Sequence, residues 1–289
     1  MSIRPLQKQV DKAYELADPC RICPRACVVH RLNGNKGFCR VADRPIVAST
    51  GPHFGEEKCL VGRGGSGTIF LSGCNLRCVF CQNYDISHEV RGEPTGVSQL
   101  AQMMVMLQGR GCENINFVTP THVVPWLMDA VRRARLNDLT IPIVYNCGGY
   151  ERVETLRLLE GTVDIYMPDM KYWDSEIAEL YSDAADYPER MRESVREMHR
   201  QVGDLLVVDG VAREGLLIRH LVMPNKMAGS VRMLNFIAEE ISGQSAVNVM
   251  SQYHPTYRAA EFERIARPPT NAEYESARSY AENLGLNLL

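Results

Sequence analysis

The stretch Thr68-Ile69-Phe70-Leu71-Ser72-Gly73-Cys74-Asn75-Leu76-Arg77-Cys78-Val79-Phe80-Cys81 decides how this chain reads. Its first five residues, Thr68 to Ser72, form a short, mostly apolar run of the kind that makes a strand buried on both faces. Three cysteines follow directly at C-x3-C-x2-C spacing, with the aromatic Phe80 beside the last. Thiolates suit iron–sulfur clusters, and a [4Fe–4S] cube takes four of them. Three close cysteines without a fourth in the motif leave one iron open to a small molecule. A zinc knuckle is the competing reading; zinc wants a fourth Cys or His, and upstream Cys59 is the candidate for it.

Downstream of this motif, short apolar runs alternate with helical stretches. Predicted strands are 68–72, 115–119, 141–145, 163–167, 216–222 and 247–251. Leu100, Met103, Met104 and Leu107 fall at helical spacing, as do Met191, Val195, Met198 and Val202, and Val231, Leu234, Ile237, Ala238 and Ile241. The methionines at 103–106 read as core packing rather than a cofactor surface. Thr270-Asn271-Ala272-Glu273 reads as a capping box opening a last helix. Six βα units in series imply a parallel α/β sheet, too few for a closed eight-stranded barrel, so a partial barrel or an open sheet is expected. In either form, functional residues gather at the C-terminal strand ends.

Residues 1–65 are different in character: one helix at about 4–17, then a Cys-rich, Gly-rich segment too small to bury its own core. We divide the chain accordingly into 1–65 and 66–289. Cys20-x2-Cys23-x3-Cys27-x11-Cys39 forms a second thiol group, with Pro24 and Arg25 inside it and Gly34 and Gly37 free to make tight loops. Four thiolates complete either zinc or an auxiliary [4Fe–4S] cluster, and a metal-free reading stays open. An auxiliary cluster would relay electrons or bind substrate; zinc would only staple the segment.

The net charge of −3 gives no reason to expect nucleic acid or an anionic membrane as a partner. No apolar run approaches the roughly 20 residues of a membrane span, and the first residues lack a signal core, so the cytoplasm is expected. In that reducing compartment the ten cysteines are expected as thiols or ligands, not disulfides.

The C-x3-C-x-aromatic-C motif after a first strand resembles the radical S-adenosylmethionine (SAM) superfamily. GSGTIFLSGCNLRCVFCQNYDIS, NINFVTPTH, IPIVYNCGGYE, VDIYMPDMKYWD, LLIRHLVMPN and VMSQYHP resemble successive blocks of one branch, the homologues of pyruvate formate-lyase activating enzyme. The resemblance spans nearly the whole chain and implies a partial (β/α)6 TIM-like barrel with an N-terminal Cys-rich segment. It implies that Cys74, Cys78 and Cys81 hold a [4Fe–4S] cluster whose open iron binds SAM. Reductive cleavage then yields a 5′-deoxyadenosyl radical that abstracts hydrogen from a substrate, and the branch resemblance implies a glycyl radical enzyme as that substrate. A low-potential donor of flavodoxin or ferredoxin type is implied as partner.

Many members carry Gly-Gly-Glu after the second strand, holding the amino group of SAM through its backbone. Here that place reads Val118-Thr119-Pro120-Thr121-His122, so Thr119, Thr121 and His122 become the candidates there, with Phe80 beside the cluster. Asp169 and Lys171 resemble the Asp-x-Lys motif of glycyl-radical activators; an ordinary strand-end salt bridge is the plain alternative. Asn146 follows the third strand, where Gly148-Gly149 either admits a ligand or makes a turn. Arg219 and His220 alternate within the fifth strand, so one faces the site, and Arg219 is favoured for the SAM carboxylate. Gln252 and His254 follow the sixth strand, with a structural role favoured for the histidine. Cys147, at a strand end, is placed as a lining residue and Cys112 as a packed thiol. Gly62-Arg63-Gly64-Gly65-Ser66-Gly67 matches G-x-G-x-x-G but precedes a strand rather than following one, so it is no dinucleotide site. A two-cluster electron carrier and a zinc-stabilised binding module are the competing functions.

Overall fold

The computed structural model describes residues 7–289. Ten strands among them form β1 (Ile46–His53), β2 (Ser66–Leu71), β3 (Glu93–Pro94), β4 (Ile115–Val118), β5 (Ile143–Cys147), β6 (Ile165–Met170), β7 (Leu206–Val208), β8 (Val211–Leu221), β9 (Ala246–Met250) and β10 (Asn287–Leu288). The six expected strands are β2, β4, β5, β6, β8 and β9. They lie side by side in that order and all run parallel. The sheet path ends at β3 on one side and β10 on the other, so this is an α/β fold with a partial, TIM-like barrel. Burial follows from that arrangement: every residue of β5 is buried, because helices cover one face and the barrel interior the other.

The helices sit where periodicity placed them. Val97–Gly109 buries Leu100, Met104 and Leu107 and packs on Val124–Leu136. Tyr187–Val202 buries Met191, Val195 and Met198. In Ser230–Phe236, Leu234 is buried but Val231 is 52% exposed; the expected stripe is narrower than the spacing suggested. Asn271–Asn283 opens on the predicted capping box: the Glu273 N–H donates to Thr270 Oγ1 (3.2 Å), and the Thr270 N–H donates to Glu273 Oε2 (2.7 Å). The first helix is Gln7–Glu15; the start expected for it lies outside the described residues.

Two departures from the sequence reading have clear causes. Segment 1–65 was expected as a helix and loops, yet it contributes β1, which pairs antiparallel with β2 and carries a bulge between Val47 and Ser49. Gly51 and Pro52 inside IVASTGPH hide that strand from any alternation count. Strand β8 starts five residues earlier than expected because Asp209 and Gly210, with φ of +51° and +79°, turn β7 back onto it as a hairpin. No helix among the described residues is long and apolar enough to cross a membrane.

Candidate active site

The C-terminal ends of the parallel strands converge on one cleft of about 420 Å³. After β2, Gly73 reverses the chain at φ +85°; a Cβ there would lie 2.6 Å from the Cys39 carbonyl oxygen, so only glycine fits. The loop that follows brings Cys74, Cys78 and Cys81 to the cleft wall together with Phe80. Backbone and hydroxyl donors already point at the three sulfurs. Leu76 N–H donates to Cys74 Sγ at 3.3 Å, Ser182 Oγ to Cys78 Sγ at 3.0 Å, and Ser87 Oγ to Cys81 Sγ at 3.1 Å. Burial, reinforced by Cys78 and Cys81, pushes the Cys74 thiol up to about 12. Thiols so disfavoured as free anions gain most from coordination to a cation. Three thiols with N–H and O–H donors aimed at them, beside open cleft volume, fit a cluster with one uncapped iron. Cys59 does not join them: it packs with Leu60, Val144, Ile165 and Met167, so the fourth zinc ligand considered from sequence is absent from this wall.

The opposite wall is a buried charge network. Asp169 accepts from Lys171 Nζ and from Arg219 Nε, each at 2.7 Å, and Arg219 Nη2 donates to Asn146 Oδ1 at 2.7 Å. Glu56 faces Arg219 at 3.6 Å. Burial pushes the Asp169 carboxyl up, but Arg219 and Lys171 more than offset it, so it sits below the usual range and is ionised. Burial lowers Lys171, and Asp169 more than restores it, so the lysine is a firm cation. Glu56 lies above the usual range through burial, with Arg219 opposing. Around Asp169, Lys171, Arg219 and Asn146 the charges are therefore fixed, two cations to one carboxylate, with Asn146 as the neutral partner. Such a set can hold a ligand that presents a carboxylate, an ammonium and hydroxyls.

Strand alternation sorts the remaining candidates. Arg219 enters the cleft, whereas His220 is buried behind it, on Met170 O and Ser230 Oγ. Thr119 lines the cleft with φ +62°, a strained setting for a β-branched residue, and donates its N–H to Asn146 O at 2.8 Å. Pro120 then starts a short turn that carries the next two candidates away. Thr121 Oγ1 donates to the buried Glu151, and His122 Nε2 meets Ser72 O at 2.8 Å; neither lines the cleft. Cys147 and Gln252 line it; His254 is exposed and does not, and Cys112 is a packed thiol beside Gly67. Sequence reasoning missed Glu56, Tyr253 and the sulfur donors Ser87 and Ser182. Only the position of Glu56 just past β1 would have signalled it, and β1 itself was not legible.

Cys20, Cys23, Cys27 and Cys39 also come together. They line one small internal cavity with Arg25, Arg31, Phe38, Asn75 and His122. Burial, reinforced by the other three thiols, raises Cys23 far above the ordinary thiol range. Among the described residues, no three His, Cys, Asp or Glu side chains close around a single-ion position.

Comparison with known proteins fits this geometry. The model of the radical SAM superfamily matches residues 68–212. The chain is 34% identical to uncharacterized protein MJ0674 of Methanocaldococcus jannaschii, across 98% of this chain and 80% of that one. It is 25% identical to MJ0808 of the same organism, across 92% and 78%. Among solved structures it is similar to Streptococcus suis SuiB bound to precursor peptide SuiA: TM-score 0.51, 11% identity, 74% of this chain and 46% of that one. The chain thus spans about half the length of that structure, and the likeness is one of fold.

Proposed function

Because the chain belongs to the radical SAM superfamily, we propose that it binds SAM on a [4Fe–4S] cluster held by Cys74, Cys78 and Cys81. One observation carries this reading. Three thiols from a single loop share a cleft with a buried Asp169–Lys171–Arg219–Asn146 network, and the loop itself carries no fourth cysteine. Bound there, the cluster supplies the electron that divides SAM into methionine and a 5′-deoxyadenosyl radical, which takes a hydrogen atom from the substrate.

The chain's own residues do the rest. Ser87, Ser182 and the Leu76 N–H hold the sulfurs in place and soften their charge. Arg219 and Lys171 offer cations to the SAM carboxylate, and Asp169 keeps both from attracting bulk anions when the cleft is open. The Thr119 backbone stands where the Gly-Gly-Glu contact would be made, beside Asn146, which Arg219 pins. Phe80, packed edge-on against Tyr172 (6.1 Å) and Tyr253 (5.5 Å), walls the thiol loop from water.

The branch resemblance and the Asp-x-Lys pair together favour a protein substrate, a glycyl radical enzyme, with a flavodoxin or ferredoxin as reductant. Reduced protein should give an electron paramagnetic resonance signal that changes shape on addition of SAM. A two-cluster electron carrier, all of its irons thiolate-bound, would give a signal indifferent to SAM.

A further inference from the structure

One buried donor near the N-terminal cysteines has no partner in the protein. Arg31 is 1% exposed; its Nε and Nη1 donate to Ala42 O and His122 O, but Nη2 donates to nothing. His122, also 1% exposed, donates its Nε2–H to Ser72 O, so in the neutral ring Nδ1 is an acceptor, also unmatched. Both residues line the cavity of the four thiols. An unpaired buried N–H costs about 1–3 kcal/mol, so an acceptor belongs inside. Thiolates and bridging sulfides are such acceptors, and a cationic guanidinium stabilises the negative charge they carry.

The same cavity backs onto the cleft. Asn75, one of its lining residues, follows Cys74 directly, so their Cα atoms are about 3.8 Å apart. Cys74 lines the cleft, Asn75 lines the cavity, and a Cβ on Gly73 would meet Cys39 O and His122 Nε2, so the Gly73–Asn75 backbone forms a layer between the two. Arg25 fastens the layers: its Nε donates to Asn75 O at 2.8 Å and its Nη2 to Ser182 O at 2.7 Å, while Ser182 Oγ donates to Cys78 Sγ. On the outer side Cys27 is partly exposed and Val28 is 59% exposed.

We infer that Cys20, Cys23, Cys27 and Cys39 hold a second [4Fe–4S] cluster that serves as the electron entrance to the cleft. Four thiolates leave no iron open, so this site takes no substrate. A reduced one-electron donor of flavodoxin or ferredoxin type loses one electron to the second cluster; that electron passes across the Gly73–Asn75 layer to the cleft cluster and then to the sulfonium of SAM. The donor is oxidised by one electron for each SAM divided. This inference rests on the reading of the cleft given above.

The test uses the full chain, reconstituted anaerobically. Replacing Cys74, Cys78 and Cys81 together by Ala should leave about four irons per chain of a wild-type complement of about eight, and a signal indifferent to SAM. Cys20→Ser with Cys39→Ser should keep SAM cleavage driven by dithionite, but slow cleavage driven by reduced flavodoxin at least about tenfold, roughly 1.4 kcal/mol of barrier. Zinc or no iron in the triple variant, or an undiminished flavodoxin rate in the double variant, overturns the inference. Should the double variant misfold, Arg31→Met should move the potential of the SAM-indifferent cluster to more negative values; an unmoved potential contradicts the placement. Fully loaded wild type that ignores SAM even with dithionite would instead sink the cleft reading.

Discussion

At the scale of single residues, the cleft depends on a few positions with no substitute. Gly73 holds φ +85° against the Cys39 carbonyl, so Gly73→Ala must shift the thiol loop. We predict a stability loss of about 1–3 kcal/mol and a fall in bound iron, measured by thermal unfolding and metal analysis; full iron loading would contradict it. Asp169→Ala leaves Lys171 and Arg219 buried without a countercharge, at a cost of about 3–5 kcal/mol, and should weaken SAM binding in calorimetry. Glu151 lies beside the cleft wall, where burial lifts its carboxyl from 4.5 up to about 8 against the pull of the Thr121 and Tyr145 hydroxyls. Its folded value exceeds its unfolded one, so as pH rises the unfolded chain sheds the proton first and stability falls between 4.5 and 8. The slope reaches about 1.4 kcal/mol per pH unit. Glu151→Gln lacks this term, so its melting temperature should gain on wild type from about pH 5 to about pH 8. Parallel profiles would contradict the burial argument.

At the scale of elements, the sequence made the parallel strands plain because each is a short apolar run before a polar end. Cys74, Asn146, Asp169 and Arg219 were legible for the same reason: each stands just past, or near the end of, such a run. What stayed hidden depends on contacts that no local pattern encodes. Strand β1 carries Gly51 and Pro52, and with it went Glu56. Thr121 and His122 looked like cleft residues by position, but the turn begun at Pro120 points them elsewhere. The Asp209–Gly210 turn is a standard hairpin signal that adjoins a run already taken as one strand. It also supplies a control. Gly210 sits at φ +79° in the turn that opens β8 and does not line the cleft, so Gly210→Ala should cost about 1–2 kcal/mol in unfolding while SAM binding is unchanged. A loss of SAM affinity would mean that the hairpin and the cleft are coupled.

At the scale of the whole molecule, the partial barrel does one thing a bare iron–sulfur protein has no use for. It gathers six strand ends into a single cleft and sets three thiols against a fixed set of charges. The N-terminal segment completes that arrangement from behind, with its own four thiols in a cavity lined by Asn75, the neighbour of Cys74. The central claim is that this cleft cleaves SAM. Its most direct measurement is 5′-deoxyadenosine formed by the anaerobically reconstituted, dithionite-reduced protein. Wild type should release it, and Cys78→Ala should release none; wild type that carries its full iron complement yet forms no 5′-deoxyadenosine would contradict the account.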